Sequence, residues 1–575
     1  MKKAVLAVVL VLMMGVLAPF ARAIEADSGP ASMARYYSDD FELFFAMRVD
    51  EGYVETLNAL ANRVLGNVPS DANLPVPPSL DFNALLQGAF ASAPFTYDDV
   101  RSFLGDYVSV GVQNYAGMMQ NDMENAGLLI AIDLKDTNGF TDFLNANVPG
   151  GLPEPVAAGN FEVYEVSPDV FLAIAPDVAM ITNNIDTLPA VFTGLEAAEG
   201  YVNTLAALPA DDYNLIAYLD YAALFEALPQ MSDMYTPEMM AMFPNYFVMG
   251  ATILDGSVLT IDAATDMPDG TMADMYTTPL NPDFAAFIPN DTDLLVHGRD
   301  LSGIYDYAIT TLSTSMGMMG GMGDMDVEAQ IEQALTQFKQ FTNIDLREDV
   351  LAWMTTDYAI FTSVGLDETL NLVEASMQNN DRAFSDNPTL PVEFGFVIGT
   401  SDAEKTAETV TKVATLLKAA VASQAEFVTI TDYSEDGANG IEIKITAPVG
   451  QNGATGITLL LASNRDIFYF GTKGAADQIS AGDTLLNDPV YAKALTYAVP
   501  NQAQFLYTDD EGLTEFFGLF AVAGLGSMMG GMDNEAMFDQ VKSVITTLNA
   551  VFDHSIISYG VTDDMVVVRM TIAFK

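Results

Sequence analysis

Two short strings carry the most distinctive side-chain chemistry in this chain. Met318-Met319-Gly320-Gly321-Met322 and Met528-Met529-Gly530-Gly531-Met532 repeat the same order of three thioethers and two glycines. Glycine pairs interrupt helices and demand adaptable backbone. Loop tips normally face water and carry polar residues. Methionine at such a place has three readings. It can fold back as adaptable core filler. It can form a flexible apolar surface that repacks around a hydrophobic ligand, a lipid or a protein partner. It can offer soft thioether ligands to Cu(I), a weak site where neither cysteine nor histidine assists. The reading carried forward is contact, with Met318, Met319, Met322, Met528, Met529 and Met532 as the surface for an apolar ligand or a protein partner. No metal or cofactor is assigned.

Other chemistry is sparse. The chain has no cysteine and two histidines, His297 and His554. Cysteine nucleophiles, disulfides, zinc–cysteine and iron–sulfur sites are therefore excluded. The histidines sit in unlike contexts, neither beside a G-x-S-x-G elbow, and both read as structural. Asp324 with Asp326, and Asp509 with Glu511, fall short of the six or more oxygens that calcium takes. There is no P-loop and no dinucleotide fingerprint. Paired carboxylates of a glycosidase type cannot be told apart among 78 acids, so no catalytic residue is assigned.

The methionine strings lie between helices. A helix near Ser302–Thr314 leads to the first string and another begins near Val327. A helix over Leu513–Ala523 leads to the second, and another follows from Asn534. The corresponding tips of the first half are rich in proline (Pro69, Pro75, Pro77, Pro78) and in methionine (Met231, Met234, Met239, Met240, Met242).

These correspondences belong to a wider internal repeat, the first thing to seek in a long chain. Glu42–Arg48 matches Asp293–Arg299, so that Arg48 aligns with Arg299 and Ala46 with His297. Asp98–Leu104 followed by Asp106-Tyr107 matches Glu348–Met354 followed by Asp357-Tyr358. Leu128–Asn145 matches Phe394–Lys412, a strand, an acidic turn and a helix. A strand pair over Phe161–Val166 and Ala179–Thr182 matches Ile441–Thr446 and Ile467–Gly471. Tyr201 through Pro209 matches Tyr491 through Pro500. Each half ends on a hairpin, the first turning at Asp255-Gly256, a strong hairpin signal, the second near Asp563-Asp564.

The spacings predict an α+β fold made by tandem duplication. Each half is an antiparallel-rich sheet with helices on one face and protruding helix–loop–helix elements. The expected division is a signal peptide over 1–23, one repeat domain over 24–275 and a second over 281–575. Residues 1–23 have the secretory order: Lys2 and Lys3, an apolar run, then Ala21-Arg22-Ala23. Cleavage there removes three positive charges and takes the formal charge from −56 to −59.

Charged residues make up 17% of the chain, below the ~25% of ordinary domains. The acidity therefore reflects scarce Lys and Arg more than abundant acid. Nucleic acid is a poor partner without a basic footprint, and adsorption to anionic membrane by charge is disfavoured. Divalent cations could serve as counterions.

One segment carries a family resemblance. Ile344-Asp345-Leu346-Arg347-Glu348-Asp349-Val350-Leu351-Ala352-Trp353, followed by Asp357-Tyr358-Ala359, resembles the recurring motif of a bacterial family of exported proteins, the domain of unknown function DUF3352. The first-half copy has Phe103 in place of Trp353. The resemblance implies two tandem copies of one fold and a periplasmic, surface or extracellular location, and no activity. In the motif, Asp349 is expected to face solvent while Val350, Leu351 and Trp353 pack inward. The functional expectation is an exported, non-enzymatic binding or interaction protein. The alternatives are an extracellular hydrolase using acidic residues and a structural envelope or surface component.

Overall fold

The computed structural model of the chain describes residues 29–69, 79–89, 95–120, 125–148, 150–188, 194–210, 213–227, 244–266, 276–318, 327–365, 391–422, 427–449, 453–509, 512, 543 and 546–575. The chain divides into two compact units. The first comprises Met1–Val68, Leu74–Ala273 and Val561–Lys575; the second comprises Pro69–Asn73 and Asp274–Gly560.

Strands of the first unit are β1 (Leu43–Arg48), β2 (Leu104–Val112), β3 (Leu128–Leu134), β4 (Val156–Ala158), β5 (Phe161–Ser167), β6 (Val170–Ile174), β7 (Val178–Thr182), β8 (Leu215–Asp220), β9 (Tyr246–Leu254) and β10 (Val258–Asp266). Every pairing is antiparallel, in the order β4-β5-β6-β7-β3-β2-β1-β8-β9-β10. Its helices include α1 (Glu51–Asn67), α2 (Phe82–Ala89), α3 (Tyr97–Arg101), α4 (Thr137–Asn147) and α5 (Glu199–Ala206).

The second unit has β11 (Leu294–Arg299), β12 (Asp357–Val364), β13 (Val392–Gly399), β14 (Val428–Glu435), β15 (Ala438–Val449), β16 (Gly453–Ser463), β17 (Ile467–Thr472), β18 (Gln504–Thr508) and β19 (Phe552–Thr562). They pair antiparallel in the order β14-β15-β16-β17-β13-β12-β11-β18-β19, element for element the order of the first unit. Its helices include α6 (Leu301–Met318), α7 (Val327–Thr342), α8 (Ala403–Val421), α9 (Lys473–Ala481) and α10 (Pro489–Leu495). The fold is α+β.

Aspartates begin the helices at equivalent strand-to-helix turns. Asp50 accepts the Tyr53 N–H at the start of α1, and Asp300 accepts the Gly303 N–H ahead of α6. Asp136 caps α4 through Gly139, and Asp402 caps α8 through Lys405. Each carboxylate satisfies an otherwise orphan N–H and complements the positive end of the helix.

The strand pair expected around Phe161–Val166 and Ala179–Thr182 is not adjacent: β6 lies between the two, as β16 lies between β15 and β17. Val170–Ile174 is a short run without alternation, and periodicity alone does not mark such a strand.

The last strand, β20 (Met565–Phe574), returns to the first unit and pairs antiparallel with β10, from Val258↔Ala573 to Asp266↔Met565. A buried ion pair fixes this register. Arg569 donates from Nε and Nη2 to both oxygens of Asp262, at 2.6 and 2.7 Å. The Tyr213 hydroxyl donates to Asp262 Oδ2 at 2.5 Å and accepts the Ala210 N–H. Burial first, and the Asp262 charge second, push the Tyr213 phenol far above its ordinary pKa, so it stays a donor. Thr252, Thr260 and Thr571, all buried, stand in register across β9, β10 and β20 one row away.

In the second unit one sheet face holds the main core. Leu295, Phe361, Val397, Tyr469, Phe505 and Ile556 pack beneath Phe284, Ala475 of α9 and Tyr491 of α10. The family-like motif closes part of the other face. Asp345 caps a π-turn over Leu346–Val350, and Trp353, fully buried, packs with Tyr358 and Ile398. Its indole N–H donates to the Asp349 carbonyl at 2.9 Å. The Asp349 side chain does more than face water. It pairs with Lys412 of α8 at 2.8 Å and accepts the Asp345 N–H. These contacts, the lysine first, hold its carboxyl below the usual range.

Candidate functional site

The helix–tip–helix element at 301–342 is the best described of the expected contact elements. Helix α6 runs on through Met316 and Gly317 to Met318, further than its apolar spacing suggests, and α7 begins at Val327. The side chain of Met318, and all of Met319, Met322, Met528, Met529 and Met532, lie outside the described residues. So do the signal segment 1–23, the proline-rich stretch at 75–78 and the methionines at 231–242.

What is described of α7 is amphipathic and little covered. Ile331 and Leu335 are partly buried, whereas Phe338 is 43% and Phe341 90% exposed. The base of the helix is tied down by ions: Lys339 to Asp345 at 2.6 Å, and Arg347 to Glu332 at 2.9 Å. This helix thus carries two phenylalanines exposed to water.

A second apolar feature lies on the sheet of the same unit, on the face opposite the main core. Ile557, Leu506, Val296, Ile360 and Phe396 stand side by side across β19, β18, β11, β12 and β13. Leu294, Thr362 and Phe394 form the next row. Trp353 and its neighbours cover one end of this face, and α8 packs on the sheet further along, over Ile441 and Leu461. On the side of the Trp353 cluster away from α8, Leu294, Val296, Leu506 and Ile557 stay partly exposed, as does Phe394 of β13, and Ile360, in a central strand, is 46% exposed. Sequence reading passed over these residues. The available signal was the near-continuous apolar character of β11, β12 and β13, which marks strands with two apolar faces.

Both histidines are interior, as expected. His297 lies on β11 with its ring stacked on Phe284 and edge-on to Phe505, at 5.3 and 5.1 Å. Its Nε2 is 3.3 Å from Asp357 Oδ2 but misaligned, and neither ring nitrogen makes a hydrogen bond. Asp357 is satisfied by Arg299 at 3.1 Å and by the Asn281 N–H at 2.6 Å. His554 lies on β19, its Nδ1 3.2 Å from Asp553 and its Nε2 buried without a partner. Burial is the main cause holding its pKa below the ordinary value, with Asp553 opposing.

Among the described residues, no group of three or more His, Cys, Asp or Glu side chains is placed to hold a metal ion. A cleft of about 70 Å³ in the second unit is lined by Tyr433, Leu460, Tyr469 and Ile479 among others, with no carboxylate. No described helix is long and apolar enough to cross a membrane.

No curated protein and no solved structure is significantly similar to the chain. The profile of the family described as "Protein of unknown function (DUF3352)" matches residues 81–434, more than half of the sequence. That span contains the motif ending in Trp353 and its weaker copy around Phe103. The chain belongs to the DUF3352 family.

Proposed function

We propose that this is an exported, non-enzymatic binding protein that holds an apolar ligand or partner surface, and that its two units arose by tandem duplication. The observation that carries the binding reading is apolar side chains left exposed to water on regular elements. Phe338 and Phe341 stand in water on one helix, and Ile360 is 46% exposed in the middle of a sheet. Lone exposed apolar residues are ordinary, whereas Phe338 and Phe341 share one helix face three residues apart, and clustered exposed apolar side chains mark interaction sites. The Met318–Met322 string, which in sequence lies between α6 and α7, fits the same use, since methionine adapts to varied shapes. The matching strand orders of the two units support the duplication. Export rests on the order of residues 1–23.

Changing Met318, Met319, Met528 and Met529 together to serine tests the role of the tips. Binding of an apolar probe should be lost with thermal stability unchanged. Retained binding with a large fall in stability would assign those methionines to the core instead.

A further inference from the structure

We propose that α7 is a self-association surface, on which Ala334, Phe338 and Phe341 of one copy pack against the same stripe of a second copy of this chain, the two helices antiparallel. The inference rests on the binding reading above and names the partner.

Exposure and spacing mark the stripe. Ala334 is exposed, Phe338 is 43% and Phe341 90% exposed. With the partly buried Ile331 they recur at spacings of three and four residues, the seam by which one helix packs along another. Their sizes make the stripe complementary to itself. In an antiparallel pair, the alignment that sets Ile331 against Phe341 of the second copy also sets Ala334 against its Phe338. Each layer then joins a large side chain to a smaller one, and the two-fold axis uses all four residues twice. A parallel pair would set Phe341 on Phe341 and Ala334 on Ala334, one layer crowded and another hollow.

Charge selects a second copy. A chain of net charge −56 resists pairing with itself wherever acids meet. This stripe avoids them. Its flanks are Gln330 and Gln337 on one side and Leu335 and Thr342 on the other, all uncharged. Glu332 and Lys339 lie on the far side of the helix, and each is paired within the chain, with Arg347 at 2.9 Å and Asp345 at 2.6 Å. Neither a basic nor an acidic partner gains an ion pair on this stripe, whereas a like-charged copy loses nothing on it. At ~200 Å² for each phenylalanine, the two copies together take roughly 500 Å² of aromatic surface out of water. The glutamine flanks bring the covered area to about 1,000 Å², the low end for a specific contact, which fits a dimer of micromolar Kd.

The test is sedimentation of the full chain from about 1 to about 100 µM. Dimer should grow with concentration and with salt, which screens the repulsion between acidic copies. Phe341→Ser should weaken dimerisation by about tenfold or more while the unfolding midpoint stays as in the parent, because that side chain is exposed. Phe338→Ser/Phe341→Ser should abolish it. The chain has no cysteine, so disulfide trapping reads the alignment. A mixture of Ala334→Cys and Phe338→Cys copies should cross-link about tenfold faster than either alone. A monomer at every concentration and salt, a dimer indifferent to Phe341→Ser, or like positions cross-linking as readily as mixed ones overturns the inference. If the chain is monomeric, Nile red separates the two readings. Dye bound by the parent and lost in the double variant leaves the binding reading standing with another partner; dye bound by neither removes both.

Discussion

Removing Asp262 should destabilise the first unit by a large fraction of its total. The carboxylate is fully buried and the Arg569 side chain is 10% exposed. The pair makes two charge-assisted hydrogen bonds and Tyr213 adds a third. Asp262→Ala leaves a buried guanidinium without a counter-charge, which costs about 3–5 kcal/mol. The stranded Tyr213 hydroxyl adds about 1–3 kcal/mol, of which relaxation towards the partly exposed edge of Arg569 recovers a share, so about 4 kcal/mol is expected. Against a domain stability of ~5–15 kcal/mol that is severe. Arg569→Met should cost a similar amount. The double variant Asp262→Leu/Arg569→Met should cost far less than the sum, because no charge is left buried alone; a coupling of about 2 kcal/mol or more is expected. Urea unfolding followed by far-UV circular dichroism measures all three. Trp353, the chain's single tryptophan, lies in the second unit and reports that unit separately. Additive costs, or single-variant losses under about 1 kcal/mol, would refute the idea that this pair pins β20 into the sheet.

Three further outcomes follow from particular residues. The folded state depresses the His554 pKa, so the unfolded chain binds the proton first as pH falls. Stability should be full above about pH 6.5 and decline as pH drops towards the folded value; thermal midpoints between neutral and mildly acidic pH should show this, and His554→Phe should flatten the dependence. The Asp563-Asp564 turn holds two non-glycine residues at φ 49° and 64°, whereas the Asp255-Gly256 and Asp436-Gly437 turns place glycine second. Asp564→Gly should therefore stabilise by about 1 kcal/mol in urea unfolding, and a destabilised variant would contradict the strain assigned to that turn. Trp353→Ala should cost about 3–5 kcal/mol, but Trp353→Phe much less, since buried Phe103 occupies the corresponding place in the first unit; equal losses by calorimetry would mean that the site needs the indole N–H.

The like order of elements in the two units was legible because residue types recur there in fixed order. Asp300 before Gly303, the Asp349-Val350 turn before Trp353, and Asp357-Tyr358 at a strand start keep their spacing to the chemistry they perform: capping, packing and strand entry. Strands β4, β6, β14 and β16 were not legible. β4 and β6 are short, β16 opens on Gly-Ala-Thr-Gly before an apolar run, and β14 is a largely polar outer strand whose alternation is weak. The return of β20 to the first unit depends on pairing between residues some three hundred positions apart, such as Asp262 with Arg569, and local periodicity holds no trace of it. The open apolar face was hidden for a related reason. Val296 and Ile360 look like core residues in any strand pattern, and only the packing of the described elements distinguishes the two faces. The methionine strings stand out by composition, and their place in the fold lies outside the described residues.

The central claim is that this protein holds something apolar, and native mass spectrometry of residues 24–575, purified from an exporting host without detergent, tests it most directly. An added, non-covalent mass in the range of a lipid, lost on organic extraction and reduced in the Ile360→Glu variant, is the expected result. A bare polypeptide mass from wild type, under conditions gentle enough to keep the fold, would contradict it.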